Sequence, residues 1–289
     1  MPAPLPVERL DPPPDPETFA ARYLTARPAE GTLPPVILAG ASPVRWAPDD
    51  LVALEGDAIV GISVQPRGNV FGANARGDAA FQVEYMPLAQ AIVRVRSAAP
   101  DARYYVRRQR LEERLPRLRA VLPDPAHACG PSGAVFIWIS QGHVISPLHM
   151  DLANNWFCQL HGRKRMRLYA PSEFDRMYPH GVAEVSHHSL VDADAPDLAR
   201  FPRFAEATCY EAILEPGDML HLPAYWWHHV TSLEESISLS FMRDAEGWQQ
   251  LAFHLARANA PISVVDVPLA PGAPRWDQRA TAPNPDDGK

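Results

Sequence analysis

The order of apolar and polar positions divides the chain near residue 130. Upstream, helical and strand spacings alternate; from Ala134 onward the pattern is short strands separated by turns. Residues 1–14 are proline-rich without an apolar period and predict an extended, disordered arm. Asp15 is placed to cap a helix whose buried stripe is Phe19, Tyr23 and Leu24. Val36–Ala39, Asp57–Val64, Ala80–Tyr85 and Tyr104–Val106 read as strands, Leu88–Ala98 as a helix, and 68–78 as a glycine- and asparagine-rich loop. Pro116 interrupts helical spacing over Leu111–Leu122, predicting one kinked helix or two short turns. Downstream, Val135–Ile139, Trp156–Leu160, Lys164–Tyr169, Cys209–Leu214, Met219–Leu222, Trp226–Ser232 and Ser236–Met242 are strand-like, with a hairpin turn at His161-Gly162-Arg163. Such a set of seven or eight short strands fits a sandwich or barrel. The polar stretch 171–207 reads as a long surface loop with a helical turn at Ser172–Met177, the kind of segment that forms a lid or substrate rim. Together these predict one domain over residues 15–268, with a barrel core at about 130–243, a helix at about 245–260 and a disordered tail over 269–289.

Composition narrows the function classes. The 289 residues are 46% hydrophobic and 21% charged, ordinary for a globular chain, and the net charge of -7 disfavours a nucleic-acid backbone as partner. No stretch reaches the roughly eighteen apolar residues of a spanning helix, and the N-terminus lacks a basic start and apolar run, so the expectation is a cytoplasmic chain with no membrane role. Three widely spaced cysteines, Cys129, Cys158 and Cys209, predict small buried hydrophobes, without a disulfide framework or a zinc finger.

The chemistry concentrates in Ser146-Pro147-Leu148-His149-Met150-Asp151 and Tyr225-Trp226-Trp227-His228-His229-Val230. Side chains two apart on a strand share a face, so His149 and Asp151 can grip one metal ion, and a histidine from a distant strand completes the set. Alternation places His228 with Trp226 and Val230 on one face and His229 with Trp227 and Thr231 on the other, which makes His228 the third ligand. Two imidazoles and one carboxylate suit Fe(II) with open positions for a co-substrate and O2, and the same donors could hold zinc with a water. Lys164 sharpens the choice. In Arg163-Lys164-Arg165-Met166-Arg167-Leu168-Tyr169 the arginines share a face with Tyr169, and Lys164 shares the inward one with Met166 and Leu168. An ammonium aimed into a β core needs an anion. The distal carboxylate of 2-oxoglutarate is one. The pair His187-His188 is a weaker rim candidate in the 171–207 loop.

These motifs, with Asn155, Gly162-Arg-Lys164-Arg, Pro216-Gly217-Asp218 and Pro223, resemble the cupin-like JmjC oxygenases, the asparaginyl hydroxylases among them in particular. The resemblance runs over about residues 100–243 and implies a mainly β fold with flanking helices, a double-stranded β-helix of jelly-roll type. It also implies Fe(II) on His149, Asp151 and His228, and 2-oxoglutarate held at its distal carboxylate by Lys164, with the hydroxyls of Ser146 and Tyr105. Asn155 corresponds to a pocket asparagine. Ser240 stands where those hydroxylases carry a second co-substrate asparagine, which shortens or removes that contact. Arg107 replaces a substrate-facing glutamine, and a guanidinium favours a carboxylate or carbonyl-rich peptide. The implied activity is hydroxylation of a protein or peptide side chain. The alternatives are a small molecule or natural-product peptide as substrate, then a tRNA-modifying oxygenase. Apolar positions on the C-terminal helix could serve a homodimer as well as a core.

Overall fold

The computed structural model describes residues 1–24, 33–66, 82–97, 102–130, 132–179, 188–246 and 249. The predicted 68–78 loop, the C-terminal helix with its dimer contact, and the tail lie outside the described residues. Two sheets face each other. The smaller contains β1 (Leu5–Pro6), β8 (Ile145–Met150), β10 (Lys164–Tyr169), β11 (Tyr210–Leu214) and β13 (Trp227–Ser232), in the order β1-β11-β10-β13-β8. The larger joins β2 (Glu8–Leu10), β3 (Val36–Leu38), β4 (Ile59–Pro66), β5 (Gln82–Pro87), β6 (Ala102–Arg110), β7 (Ala134–Ser140), β9 (Ala153–His161), β12 (Met219–Leu222) and β14 (Ser236–Asp244). Its order is β2-β3-β12-β9-β14-β7-β6-β4-β5. The eight strands from β7 onward supply four neighbours to each sheet, all antiparallel, which is the two-sheet jelly-roll arrangement expected.

Strand alternation fills three apolar layers. Between the sheets lie Phe157, Met166, Leu168, Leu220, Leu222, Trp226 and Val230. The outer face of the large sheet presents Val60, Ile62, Val135, Ile137 and Ile139 to the helices. These are α1 (Pro16–Phe19), α2 (Pro48–Glu55), α3 (Leu88–Arg96), α4 (Leu111–Arg114) and α5 (Pro116–Val121). The break at Pro116 resolves as two short helices, as the missing N–H of proline requires. Asp15 caps α1, its carboxylate accepting from the Thr18 N–H at 3.0 Å, and Phe19 stacks on Tyr23 at 5.0 Å. The outer face of the small sheet packs against residues 171–179 and 188–207. That stretch is less of a surface loop than its polarity predicts, because Tyr178, Val191, Phe201 and Phe204 are buried beneath it against Tyr169 and Trp227.

Two further expectations change. Residues 1–14 form β1 and β2, parallel to β11 and β3, in place of a disordered arm. The arm is ordered by distant partners: Val7 is buried, and Arg9 makes two 2.8 Å hydrogen bonds to the buried Asp218 carboxylate. Of the cysteines, Cys158 is buried as predicted and Cys129 is exposed; all three are free thiols. At the β9–β10 turn Gly162 has φ 62°, and a Cβ there would overlap the Glu235 carbonyl, so this hairpin requires glycine. No helix of the described residues is long and apolar enough to cross a membrane.

Candidate functional site

Antiparallel pairing of β8 with β13 sets His149 directly opposite His228, and Asp151 follows one residue past the end of β8. One potential ligand atom from each of the three lies within 4.8 Å of the others. The imidazole centroids are 4.1 Å apart, and His228 Nε2 is 3.7 Å from Asp151 Oδ2. Each imidazole is anchored through its other nitrogen. His149 Nδ1 lies 2.6 Å from the Pro147 carbonyl and His228 Nδ1 3.0 Å from that of Trp226. With Nδ1–H donated to a carbonyl, the tautomer is set and the Nε2 lone pair is left to a metal. Burial, then the proximity of His228 and His188, holds His149 neutral, well below the usual imidazole range. A neutral imidazole is the ligating form. The donor set therefore fits a divalent metal with three protein ligands and open positions.

The choice between the paired histidines rests on different surroundings from those expected. Both are buried, His228 at 5% exposure and His229 at 1%, because the outer face of β13 is covered by residues 171–179 and 188–207. His228 faces the cavity between the sheets. His229 faces Asp194, with its Nε2 3.7 Å from Asp194 Oδ2. A bulge between His228 and Val230 interrupts the β8–β13 register beside the triad.

The cavity opens between the sheets, and Tyr105, Arg107, Ser146, Asn155, Lys164 and Ser240 line it with the triad. Lys164 is 2% exposed and shares its inward face with Met166 and Leu168, while Arg165 and Arg167 point outward to Asp194 at 2.7 and 2.8 Å. Its ammonium lies 5.4 Å from the Phe157 ring centroid, and among the described residues no carboxylate approaches it. Burial alone pulls its pKa down to about 7. Lys164 pairs with Ser232 and Leu168 with His228, four positions apart on each strand, so the two sites are separated by about 13 Å of backbone. Ser146, opposite Val230, falls between them. Tyr105 and Ser146 hydroxyls are 3.2 Å apart, and burial pushes the phenol up to about 12, so it remains a hydrogen-bond donor. On the opposite wall Ser240 Oγ accepts from Trp138 Nε1 at 3.0 Å and from Asn155 Nδ2 at 3.4 Å. Asn155 Oδ1 is buried without a protein partner.

Sequence reasoning missed Phe136 and Trp138, which the alternation of β7 turns into the cavity opposite Val135 and Ile137; the signal was present but hidden because both faces of that strand are apolar. It also missed Arg108. His188 stacks on His149 at 5.6 Å and forms an isolated bridge with it, so it lies at the rim as predicted, while His187 is outside the described residues.

The cupin-like domain family matches residues 31–244. Among curated proteins, lysine-specific demethylase 8 of Xenopus tropicalis is 34% identical over 142 residues, 47% of this chain and 32% of that protein. The human bifunctional peptidase and (3S)-lysyl hydroxylase JMJD7 is 27% identical over 233 residues, 70% of this chain and 73% of its own length. A tRNA wybutosine-synthesizing protein 5 of Danio rerio is 37% identical over 92 residues, 32% of this chain and 27% of that protein. The first of these matches thus spans about a third of its relative's length. None of the three carries an asparaginyl hydroxylase name, so that finer likeness rests on the motifs alone. Proteins named for a JmjC domain are among those it is similar to, and the chain belongs to the cupin-like domain family.

Proposed function

We propose that this chain is an Fe(II)- and 2-oxoglutarate-dependent dioxygenase that hydroxylates a protein or peptide side chain, with succinate and CO2 as co-products. The observation that carries the reading is Lys164, a buried ammonium that meets no anion among the described residues, in one cavity with a His-Asp-His set. A hydrolytic zinc site has no use for that lysine; a dicarboxylate co-substrate does. Fe(II) with 2-oxoglutarate supplies O2 activation coupled to oxidative decarboxylation. The chain's own residues do the rest. His149, Asp151 and His228 hold the metal on one side, and the backbone carbonyls of Pro147 and Trp226 keep both imidazoles aimed. Lys164 receives the distal carboxylate, and the hydroxyls of Tyr105 and Ser146 donate to it. Asn155 and Ser240 line the wall, where the Ser240 hydroxyl proton remains available to donate to the co-substrate. A protein substrate is supported by the names of the relatives, which include a demethylase and a lysyl hydroxylase.

The test is succinate release from 2-oxoglutarate by purified protein with Fe(II) and ascorbate, alongside a peptide screen for products heavier by one oxygen. The reading predicts succinate and such a product. A protein that binds Fe(II) yet neither binds nor consumes 2-oxoglutarate would overturn it.

A further inference from the structure

A second groove leaves the mouth of the metal cavity, with Arg107, Arg108 and Phe136 lining both. It crosses Gly61 and Ser63 of β4 and reaches Val83 and Tyr85 of β5, which pairs only with β4 among the described residues. Three independent features shape it.

The first is a bulge. Between Val106 and Gln109 the β6–β7 register slips by one residue, and Arg108 takes φ 51°. A left-handed arginine persists only where its neighbours hold it. Gln109 does so from both sides: its Oε1 accepts the Gly61 N–H at 3.1 Å and its Nε2 donates to the Arg107 carbonyl at 2.8 Å. Two consecutive arginines are thereby fixed at the cavity mouth.

The second is charge. Arg107, Arg108, Arg110 and Arg114 line the groove in a chain whose net charge is -7. Arg110 is engaged by Glu112 and Glu113. Among the described residues Arg108 and Arg114 meet no carboxylate, and Arg108 lies over the Phe136 ring at 5.1 Å.

The third is apolar. Tyr85 and Val83 are 64% and 48% exposed on one face of an edge strand. Gly61 keeps the floor between them open, since a Cβ there would sit 3.2 Å from Val83 Cγ1 and 3.4 Å from Tyr85 Cε1.

We propose that this groove takes the substrate as an extended acidic polypeptide segment, with an Asp or Glu held at Arg108 next to the residue that enters the cavity and a further carboxylate at Arg114. The inference rests on the protein-hydroxylase reading and narrows it. The exposed apolar face at Val83 and Tyr85, beside the arginines of the groove, suits an extended peptide in which apolar side chains alternate with carboxylates. The guanidinium groups of Arg108 and Arg114, which meet no carboxylate among the described residues, select its carboxylates. A single-stranded RNA fits less well, because it needs a run of stacking aromatics and a broadly basic surface.

The test is fluorescence anisotropy of the intact protein with a labelled peptide of alternating Glu and Val, and with its counterpart carrying Gln for every Glu. The acidic peptide is expected to bind about tenfold tighter or more, and to weaken as salt rises. Arg114→Glu and Tyr85→Ala should each weaken it by about threefold to tenfold. Neither variant should change succinate formation in the absence of peptide. Equal binding of the Gln peptide, unchanged binding by Arg114→Glu, or tighter binding of a competing oligouridylate would each overturn the proposal. Binding is read without turnover, so loss of the groove leaves the 2-oxoglutarate reading standing, and absence of succinate formation leaves the groove result intact.

Discussion

Strands β10 and β13 carry charged or titratable side chains on both faces, and the faces treat them differently. On the outer face Arg165 and Arg167 converge on Asp194, with His229 beside it; burial lowers the His229 pKa to about 4, against the pull of that carboxylate. The two guanidinium groups and the Asp194 carboxylate answer one another. On the inner face Lys164 and His228 have, among the described residues, no anion other than Asp151, which the triad already uses. A buried charge that the chain itself does not neutralise points to a ligand, whereas a neutralised cluster points to packing.

The largest expected effect comes from breaking the inner face at the metal. Asp151→Ala or His228→Ala should abolish Fe(II) binding and succinate formation, read by metal titration and product assay, while His229→Ala should retain both. Activity lost in His229→Ala and kept in His228→Ala would invert the assignment of the two faces. Next, Lys164→Ala should weaken 2-oxoglutarate by on the order of 2–5 kcal/mol with Fe(II) affinity preserved, while Arg165→Ala changes co-substrate affinity little.

The same lysine predicts a pH signature. Its pKa of about 7 in the free protein must rise when an anion binds, so above pH 7 the co-substrate binds with uptake of a proton. Its dissociation constant should then climb by up to about tenfold per pH unit between 7 and the raised value. Calorimetry in buffers of different ionisation enthalpy measures the uptake directly, and Lys164→Ala should abolish it. The smallest effect belongs to the outer face. Asp194→Ala should cost about 1 kcal/mol of folding stability in chemical denaturation and leave 2-oxoglutarate affinity unchanged.

What could be read from the chain was whatever obeys the two-residue period. His149, Asp151, His228 and Lys164 were legible because strand alternation separates them from Met150, His229 and the arginines. Features that depend on distant segments were not. The order of residues 1–14 rests on Arg9 reaching Asp218, far along the chain. The coverage of His229 rests on Phe201, Phe204 and their neighbours, apolar residues scattered through a polar stretch. The placement of Arg108 depends on one inserted residue in a ladder, and a bulge has no local signature unless glycine marks it.

Whether Lys164 reads the distal carboxylate of 2-oxoglutarate is decided by removing each partner in turn. Affinities of 2-oxoglutarate and of 2-oxopentanoate, which lacks that carboxylate, should be measured anaerobically on the Fe(II) protein and on Lys164→Ala. The wild-type chain should prefer the dicarboxylate by about thirtyfold or more, and in Lys164→Ala that preference should collapse toward unity. A preference that survives the loss of Lys164 would place the carboxylate elsewhere and contradict the account.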